Sequence, residues 1–140
     1  MKYKIVTDLK ILCQKSTSAT EEEAKTLIKD LEDSLDLKKG VGLSAIQIGV
    51  AKQVAIVRLP NMKIDIVNPV IINKGEKFRF EKEGCLSIPL LYIDTTRYYK
   101  FSFVSQGILY NLSGLDAICA EHEIDHGNGL TILNRKWRKK

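Results

Sequence analysis

The chain contains only two histidines, His122 and His126, and they stand four positions apart. Residues with this spacing lie one turn apart on the same face of an α-helix. Three further residues extend that face toward the N-terminus at helical spacing: Leu115, Ile118 and Cys119. Because the histidines continue an apolar stripe, the pattern predicts a helix that points both imidazoles into the protein.

The segment at residues 122–126 reads H-E-I-D-H and so matches H-E-x-x-H. On a helix this motif directs two imidazoles at one metal ion and brings the intervening carboxylate, Glu123, over the open coordination position as an acid/base. A chance pair of histidines is the alternative, since a five-residue match is a weak signal by itself. The apolar stripe and the intervening glutamate both favour the metal site.

A catalytic site of this kind uses a third protein ligand and leaves one position for water. Residues 127–140 contain no His, Asp, Glu or Cys, and Ile132 stands where a third histidine would follow in H-E-x-x-H-x-x-G-x-x-H. The third ligand is therefore expected upstream of the motif.

Cys85 is the best candidate for that ligand. It follows Gly84 in a segment whose backbone can come close to the metal site, and thiolates bind Fe(II) and Zn(II) strongly. Cys119 is the rival. It lies one turn before His122 on the same stripe, which predicts a small core residue or a pocket wall. Cys13 is predicted to be structural.

Length and composition predict one domain over residues 1–140, since 140 residues with 44% hydrophobic content suffice for one core. The chain shows neither a secretory signal nor an apolar stretch of the roughly 20 residues that cross a bilayer. Three irregularly spaced cysteines argue against a disulfide framework. We therefore expect a cytoplasmic protein with no membrane contact.

Much of the net charge of +5 lies in the last residues, from Arg135 to Lys140. The favoured interpretation is a solvated basic tail. Contact with RNA or another polyanion is the alternative.

Thr20 and Glu23 form a capping-box pattern, which predicts an amphipathic helix that continues toward Gly40. Its apolar positions recur at helical spacing: Ala24, Leu27, Ile28, Leu31 and Leu35. Strand-like runs follow at residues 54–59, 64–72, 77–81 and 98–112, with a turn at residues 105–107.

The helix that carries the histidines is predicted to begin at Ser113, as its N-cap, and to end near Gly127. Strands fill the middle of the chain without regular alternation with helices. We therefore predict an α+β fold, in which antiparallel or mixed sheets surround a central metal-binding helix and the first amphipathic helix lies outside.

Three separated segments together resemble the peptide deformylases, which remove the N-formyl group from the initiator methionine of bacterial and organellar proteins. Residues 40–47, G-V-G-L-S-A-I-Q, resemble the family's G-x-G-L-A-A-x-Q. Residues 83–87, E-G-C-L-S, and 121–126, E-H-E-I-D-H, resemble E-G-C-L-S and Q-H-E-x-D-H. The order and approximate spacing also agree over nearly the whole chain.

The resemblance implies that Cys85, His122 and His126 hold one divalent ion, Fe(II) by family habit, with Zn(II), Ni(II) or Co(II) as substitutes. Glu123 would take a proton from the bound water and pass it to the departing amine while hydroxide attacks the formyl carbon. The Gln47 side chain and the Leu86 backbone N–H would donate hydrogen bonds to the oxyanion.

The resemblance also implies a slot for the methionine side chain and a buried pair that supports the cysteine loop. The slot residues are Val41, Gly42, Leu115, Ile118 and Cys119, together with His122. Glu83 and Arg97 match acidic and basic positions that pair in the family; a solvated Arg97 is the alternative. Gly40 and Gly42 would let the backbone approach the substrate closely.

Departures from the family pattern are Ser44 for alanine, Glu121 for glutamine and Gly127 for leucine. The chain also stops soon after the metal helix, where many relatives continue into a long C-terminal helix. We expect a monomer that acts on formyl-methionyl nascent peptides, with a weak ribosome contact through the basic tail. A compact genome such as a phage's is one possible source, in which case the host cytoplasm is the expected location.

Three other functions compete with this interpretation. A metallopeptidase is disfavoured by the missing downstream ligand. A catalytically inactive relative that binds formylated peptide ends is disfavoured because it would not require Glu123 or Gln47. A nucleic-acid-binding module rests on the basic tail alone.

Overall fold

The computed structural model describes residues 1–138 of the chain. Its helices and strands follow in the order α1 (Leu9–Leu12), α2 (Glu21–Ser34), β1 (Gly42–Ser44), β2 (Val54–Leu59), β3 (Met62–Val67), β4 (Val70–Cys85), β5 (Ile88–Ser105), β6 (Ile108–Ser113) and α3 (Leu115–Gly127). Two short 3-10 helices, Ala45–Ile48 and Ile132–Arg135, follow β1 and α3.

Helix α2 begins where the sequence predicts. The Glu23 backbone N–H donates to the Thr20 hydroxyl at 3.1 Å, and the Glu23 carboxylate accepts from the Thr20 N–H at 2.9 Å, which confirms the capping box. The helix ends at Ser34, several residues before the predicted end near Gly40, because Leu35 takes an extended conformation and packs on the core that the helix covers.

The first sheet is antiparallel, with strand order β1-β2-β3. The predicted run at residues 64–72 is wrong as a single strand, since β3 ends at Val67 and β4 begins at Val70. Asn68 interrupts it with a φ of 45°. Its side chain accepts from the Ala19 N–H at 2.8 Å and donates to the Ala19 carbonyl at 2.9 Å, which stabilises the turn between the sheets.

The second sheet is also antiparallel, with order β4-β5-β6, and is dominated by one long hairpin. Strands β4 and β5 extend far beyond the predicted run at residues 77–81, and they close at the Cys85–Ile88 pair, so Leu86 and Ser87 form the tip. The register shifts between Phe80 and Glu83. The predicted turn at residues 105–107 is confirmed between β5 and β6.

Helix α3 lies between the two sheets. Ala117, Ala120 and Ile124 share a buried cluster with the first sheet and with Phe101 and Phe103 of β5. The predicted end at Gly127 is confirmed, but the Ser113 cap is wrong. Ser113 pairs with Lys100 as the last residue of β6, and Gly114 occupies the N-cap position with a φ of 62°. The α+β prediction is confirmed.

The segment after α3 folds back onto the second sheet. The Trp137 N–H donates to the Asp94 carbonyl at 2.9 Å, and Lys136 forms an antiparallel bridge with Thr95. The prediction of a solvated tail is therefore wrong at Arg135 and Trp137, which are half-buried, whereas Lys136 and Arg138 are exposed and residues 139 and 140 lie outside the described part of the chain. Within residues 1–138, no helix combines the length and apolar character needed to cross a membrane.

Candidate active site

Cys85, His122 and His126 are brought together although they come from two different elements. The histidines lie one turn apart on α3, and Cys85 ends β4 at the hairpin tip. One donor atom from each residue lies within 4.8 Å of the other two. Cys85 Sγ is 3.4 Å from His126 Nε2. The structure thus places the three predicted ligands around one point.

The chemistry of this donor set fits a divalent ion of the Fe(II) or Zn(II) type. Burial lowers the pKa of His126, so its ring stays neutral and keeps a lone pair for coordination. Burial also works against a charge on His122, yet the carboxylates of Glu123 and Glu83 and the Cys85 thiol raise its pKa. Positive charge is therefore stabilised at the point where the donors meet.

Glu83 orients His122. Its carboxylate lies 2.6 Å from His122 Nδ1, and a proton on that nitrogen leaves Nε2 free to face the other donors. Burial works to raise the pKa of Glu83, but hydrogen bonds from His122 and Arg97 hold it at about 2. The Thr95 hydroxyl donates to the same carboxylate at 2.6 Å. Glu83 is therefore ionised at neutral pH.

Arg97 is fully buried and binds Glu83 through two nitrogens, with Nε at 2.8 Å and Nη2 at 2.6 Å from the carboxylate oxygens. The structure places Glu83 and Arg97 together as the resemblance implied, and Arg97 is not solvated. The same guanidinium donates to Asp125 on α3 at 2.9 Å. It therefore ties the β4–β5 hairpin to α3.

Glu121, which departs from the family's glutamine, joins this charged group. Its carboxylate lies 3.1 Å from Arg97 Nη1 and 2.8 Å from Lys74 Nζ. Arg135 approaches from the C-terminal segment and binds Asp125 at 3.0 and 2.8 Å. Cations on three separate elements thus compensate the extra buried carboxylate.

Glu123 faces the cleft from α3 and is 5% exposed. The Ser44 hydroxyl lies 3.0 Å from its Oε1 and 2.9 Å from its backbone carbonyl. A Cβ on Gly42 would lie 2.6 Å from Glu123 Oε2, so Gly42 leaves room for this carboxylate. Burial raises the pKa of Glu123, which brings a carboxyl group toward the range useful for acid/base chemistry.

Gln47 is held at both ends of its side-chain amide. Its oxygen accepts from the Ser44 N–H at 3.0 Å, and its nitrogen donates to the Ser87 hydroxyl at 3.0 Å. The same nitrogen is 3.8 Å from Cys85 Sγ. One N–H is thus engaged by Ser87, and the other faces the ligand cluster.

These groups open onto a cleft of about 1030 Å³. All residues proposed for the methionine slot line it: Val41, Gly42, Leu115, Ile118, Cys119 and His122. Ile118 is buried, whereas Leu115 is 54% exposed at the edge. Leu86 lines the cleft directly after Cys85 at the hairpin tip. An apolar wall therefore stands beside the three donor atoms.

A family model described as polypeptide deformylase matches residues 3–140 of the chain. The chain belongs to the polypeptide deformylase family. It is 34% identical over 133 residues to a peptide deformylase of Aquifex aeolicus, covering 86% of this chain and 78% of that protein. Family membership thus rests on nearly the full described length.

Solved deformylase structures share the fold. The crystal structure of the Thermotoga maritima peptide deformylase matches with a TM-score of 0.88 at 27% identity, over 99% of both chains. A peptide deformylase of Ehrlichia chaffeensis, solved in complex with actinonin, matches with a TM-score of 0.86 at 28% identity, over 98% of this chain and 90% of that one.

Sequence reasoning missed four polar side chains of this deformylase site. Ser44 contacts Glu123, and Thr95 contacts the Glu83 carboxylate. Ser87 accepts a hydrogen bond from Gln47, and Lys74 contacts Glu121. Ser44 and Glu121 did stand out as departures from the family pattern, but no pattern in the sequence linked either to its partner. Thr95 and Lys74 gave no signal.

Proposed function

We propose that this protein is a metal-dependent hydrolase that removes the N-formyl group from N-formylmethionine at the N-terminus of newly made polypeptides. The observation that carries this proposal is the convergence of Cys85, His122 and His126 on one point of a cleft that Glu123 and Gln47 also line. Residues 1–140 form a single catalytic domain in this proposal.

Cys85, His122 and His126 hold the metal ion. When bound, the ion supplies Lewis acidity, which lowers the pKa of water and polarises the formyl carbonyl. Fe(II) is the proposed physiological ion, and Zn(II), Ni(II) or Co(II) can replace it, because a thiolate with two imidazoles accepts each of them. Metal analysis of protein purified under anaerobic conditions tests the assignment.

Glu123 acts as the general base and then as the general acid. Its carboxylate accepts a proton from the attacking water and passes it to the amine of methionine as the C–N bond breaks. Formate and a free amino terminus are the products. The Ser44 hydroxyl fixes the carboxylate during both transfers.

Gln47 and Leu86 stabilise the negative charge that develops on the formyl oxygen. The Gln47 side-chain N–H that faces Cys85 and the backbone N–H of Leu86 are the proposed donors, and one such donor typically contributes about 3 to 4 kcal/mol to the transition state. The slot residues hold the methionine side chain and so place the formyl group beside Glu123: Val41, Gly42, Leu115, Ile118 and Cys119.

The decisive experiment measures formate release from formyl-Met-Ala-Ser by protein purified anaerobically with Fe(II), or reconstituted with Ni(II) or Co(II). Glu123→Gln keeps the size of the side chain and should lower kcat by a factor of about one thousand. Glu22→Gln, on the exposed first turn of α2, is the matched control and should not change it.

Absence of formate release from folded, metal-loaded protein would overturn the proposal in favour of a relative that only binds formylated peptide ends. In addition, we propose that the enzyme acts as a monomer in the cytoplasm, of a bacterium or of a phage's host, and contacts the ribosome weakly through its basic tail, Arg135 to Lys140. Analytical ultracentrifugation and ribosome co-sedimentation test these two points.

A further inference from the structure

Four lysines line the same cleft as the metal ligands and Glu123: Lys4, Lys38, Lys39 and Lys82. All four side chains belong to exposed residues. Two carboxylates also line the cleft, those of Glu83 and Glu123, and both are at least nine-tenths buried. The exposed charge at the cleft mouth is therefore positive.

Three separate segments hold these lysines in place. Lys4 lies on an N-terminal arm fixed on both sides, since the Tyr3 N–H donates to Ser34 Oγ at 2.8 Å and the Val6 N–H donates to the Gln47 carbonyl at 2.7 Å. Convergence of separate segments distinguishes this cluster from a run of like charges on one solvated face.

Lys38 and Lys39 lie on a turn built around Asp36. The Lys38 N–H donates to the Asp36 side chain at 3.0 Å, and the Lys39 N–H donates to the Asp36 carbonyl at 2.9 Å. Gly40, which follows this turn, approaches Leu86 so closely that a Cβ would lie 3.0 Å from that side chain. The turn therefore adjoins the metal-binding hairpin.

Lys82 lies where the β4–β5 register shifts, with a φ of 54° that redirects the strand. Its backbone N–H donates to Asp94, whose carboxylate also accepts from the Arg79 guanidinium. Within residues 1–138, the lysines that form ion pairs are Lys52, Lys74 and Lys100. The four cleft lysines are thus available to a ligand.

We propose that these four lysines, which we name the lysine rim, make the enzyme favour formyl-methionyl peptides with acidic side chains downstream of methionine. This inference rests on the proposed deformylase function. The methionine slot fixes one end of the substrate, so the following residues leave the cleft past the rim. Complementary charge at such a mouth raises the encounter rate and local concentration of the ligand, most strongly at low salt.

A peptide suits this cleft better than a nucleic acid does. The apolar side chains of Leu86, Leu91 and Tyr92 line it together with the lysines. An extended chain presents side chains alternately to opposite sides and can contact both kinds of surface. A phosphate backbone would use the lysines alone.

The test compares formyl-Met-Ala-Glu-Glu, formyl-Met-Ala-Gln-Gln and formyl-Met-Ala-Lys-Lys by kcat/KM in the metal-loaded enzyme. We expect the acidic peptide to exceed the basic one by about tenfold at about 0.02 M salt and by less than about twofold at about 0.5 M salt, where screening is strong. Equal kcat/KM values for the acidic and the basic peptide at low salt would overturn the inference.

The double variant Lys38→Glu/Lys39→Glu should reverse this preference while it leaves the rate for the neutral peptide within about twofold. Lys25→Glu/Lys63→Glu changes the net charge equally at exposed positions outside the cleft and should keep the wild-type preference. If both double variants changed the preference for acidic peptides equally, the preference would come from the net charge of the protein. That result would overturn the proposed role of the lysine rim.

The neutral peptide separates the two proposals. Hydrolysis of formyl-Met-Ala-Gln-Gln without any charge preference leaves the deformylase proposal intact and overturns the lysine rim. Absence of hydrolysis of all three peptides overturns both. If the Lys38→Glu/Lys39→Glu variant keeps the peptide preference but loses binding to a poly(U) oligonucleotide, the rim is a nucleic-acid contact and the inference is wrong.

Discussion

The Ser44 hydroxyl lies 3.0 Å from the Glu123 carboxylate and 2.9 Å from the Glu123 backbone carbonyl. Both residues are buried, with Ser44 2% exposed. A hydroxyl between these two oxygens limits rotation of the Glu123 side chain. The position of the proposed acid/base is therefore set by a residue on the first sheet as well as by its own helix.

Ser44→Ala should lower kcat by about tenfold and change KM by less than about twofold, because a hydrogen bond to a charged group typically contributes about 1.5 to 3 kcal/mol. The comparison uses steady-state kinetics on formyl-Met-Ala-Ser. Ser16→Ala is the matched control, since Ser16 is equally buried and its hydroxyl has no hydrogen-bond partner within residues 1–138. A rise in KM with unchanged kcat would contradict the positioning role.

Arg97→Met should lower the free energy of unfolding by about 3 to 5 kcal/mol, because it leaves the buried carboxylates of Glu83, Glu121 and Asp125 without their shared cation. Urea denaturation of the metal-free protein measures the change. Arg79→Met removes an exposed pair with Asp94 and should have little effect. Equal losses in the two variants would show that the Arg97 cluster does not hold the hairpin to α3.

Arg135→Ala should destabilise the protein by about 1 to 2 kcal/mol, since it removes two hydrogen bonds to the buried Asp125 carboxylate. Truncation after Trp137 keeps this contact and should leave thermal stability and activity unchanged. Differential scanning calorimetry measures the thermal stability of the Arg135→Ala variant and of the truncated protein. Ribosome binding through the tail is therefore tested with the truncation after Trp137, because a deletion that includes Arg135 also removes the contact with Asp125 of α3.

The three cysteines should differ in alkylation by iodoacetamide at pH 8. Burial, with the Glu123 carboxylate, raises the pKa of Cys119 to about 12, so roughly one thiol in ten thousand is ionised at that pH. Alkylation of Cys119 should therefore be slowest and should rise about tenfold with each pH unit below about pH 12, whereas the exposed Cys13 reacts first.

Metal addition provides the second comparison in the same experiment. Cys85 should be alkylated in the metal-free protein and protected when Ni(II) or Zn(II) is present, while labelling of Cys13 stays constant. Mass spectrometry of proteolytic peptides resolves the three sites. Unchanged labelling of Cys85 on metal addition would contradict its role as a ligand.

Local signals in the sequence predicted the elements that local chemistry determines. The Thr20–Glu23 capping box marks the start of α2 because both hydrogen bonds form within one turn. The spacing of His122 and His126 predicted their shared helix because residues four positions apart lie one helical turn apart. The family resemblance brought Cys85 into the site, since the residues alone left Cys119 as a rival ligand.

Long-range pairing was less visible. The full length of the β4–β5 hairpin was missed because register shifts near Ile71 and between Phe80 and Glu83 interrupt the alternation of side chains. The prediction that Ser113 caps α3 was wrong because Ser113 pairs with Lys100 in the β5–β6 ladder. Contacts such as Lys74 with Glu121 depend on the folded arrangement of three elements and leave no trace in spacing.

The position of Cys85 at a hairpin tip and of the histidines on a helix has a consequence for stability. An ion bound there is a removable crosslink between the second sheet and α3, and it exists only when the two have docked. Because binding to the native state alone stabilises that state, the unfolding midpoint should follow the free metal concentration. Chelation would then loosen the sheet–helix junction and the catalytic cleft together, so metal supply would control the enzyme's lifetime as well as its rate.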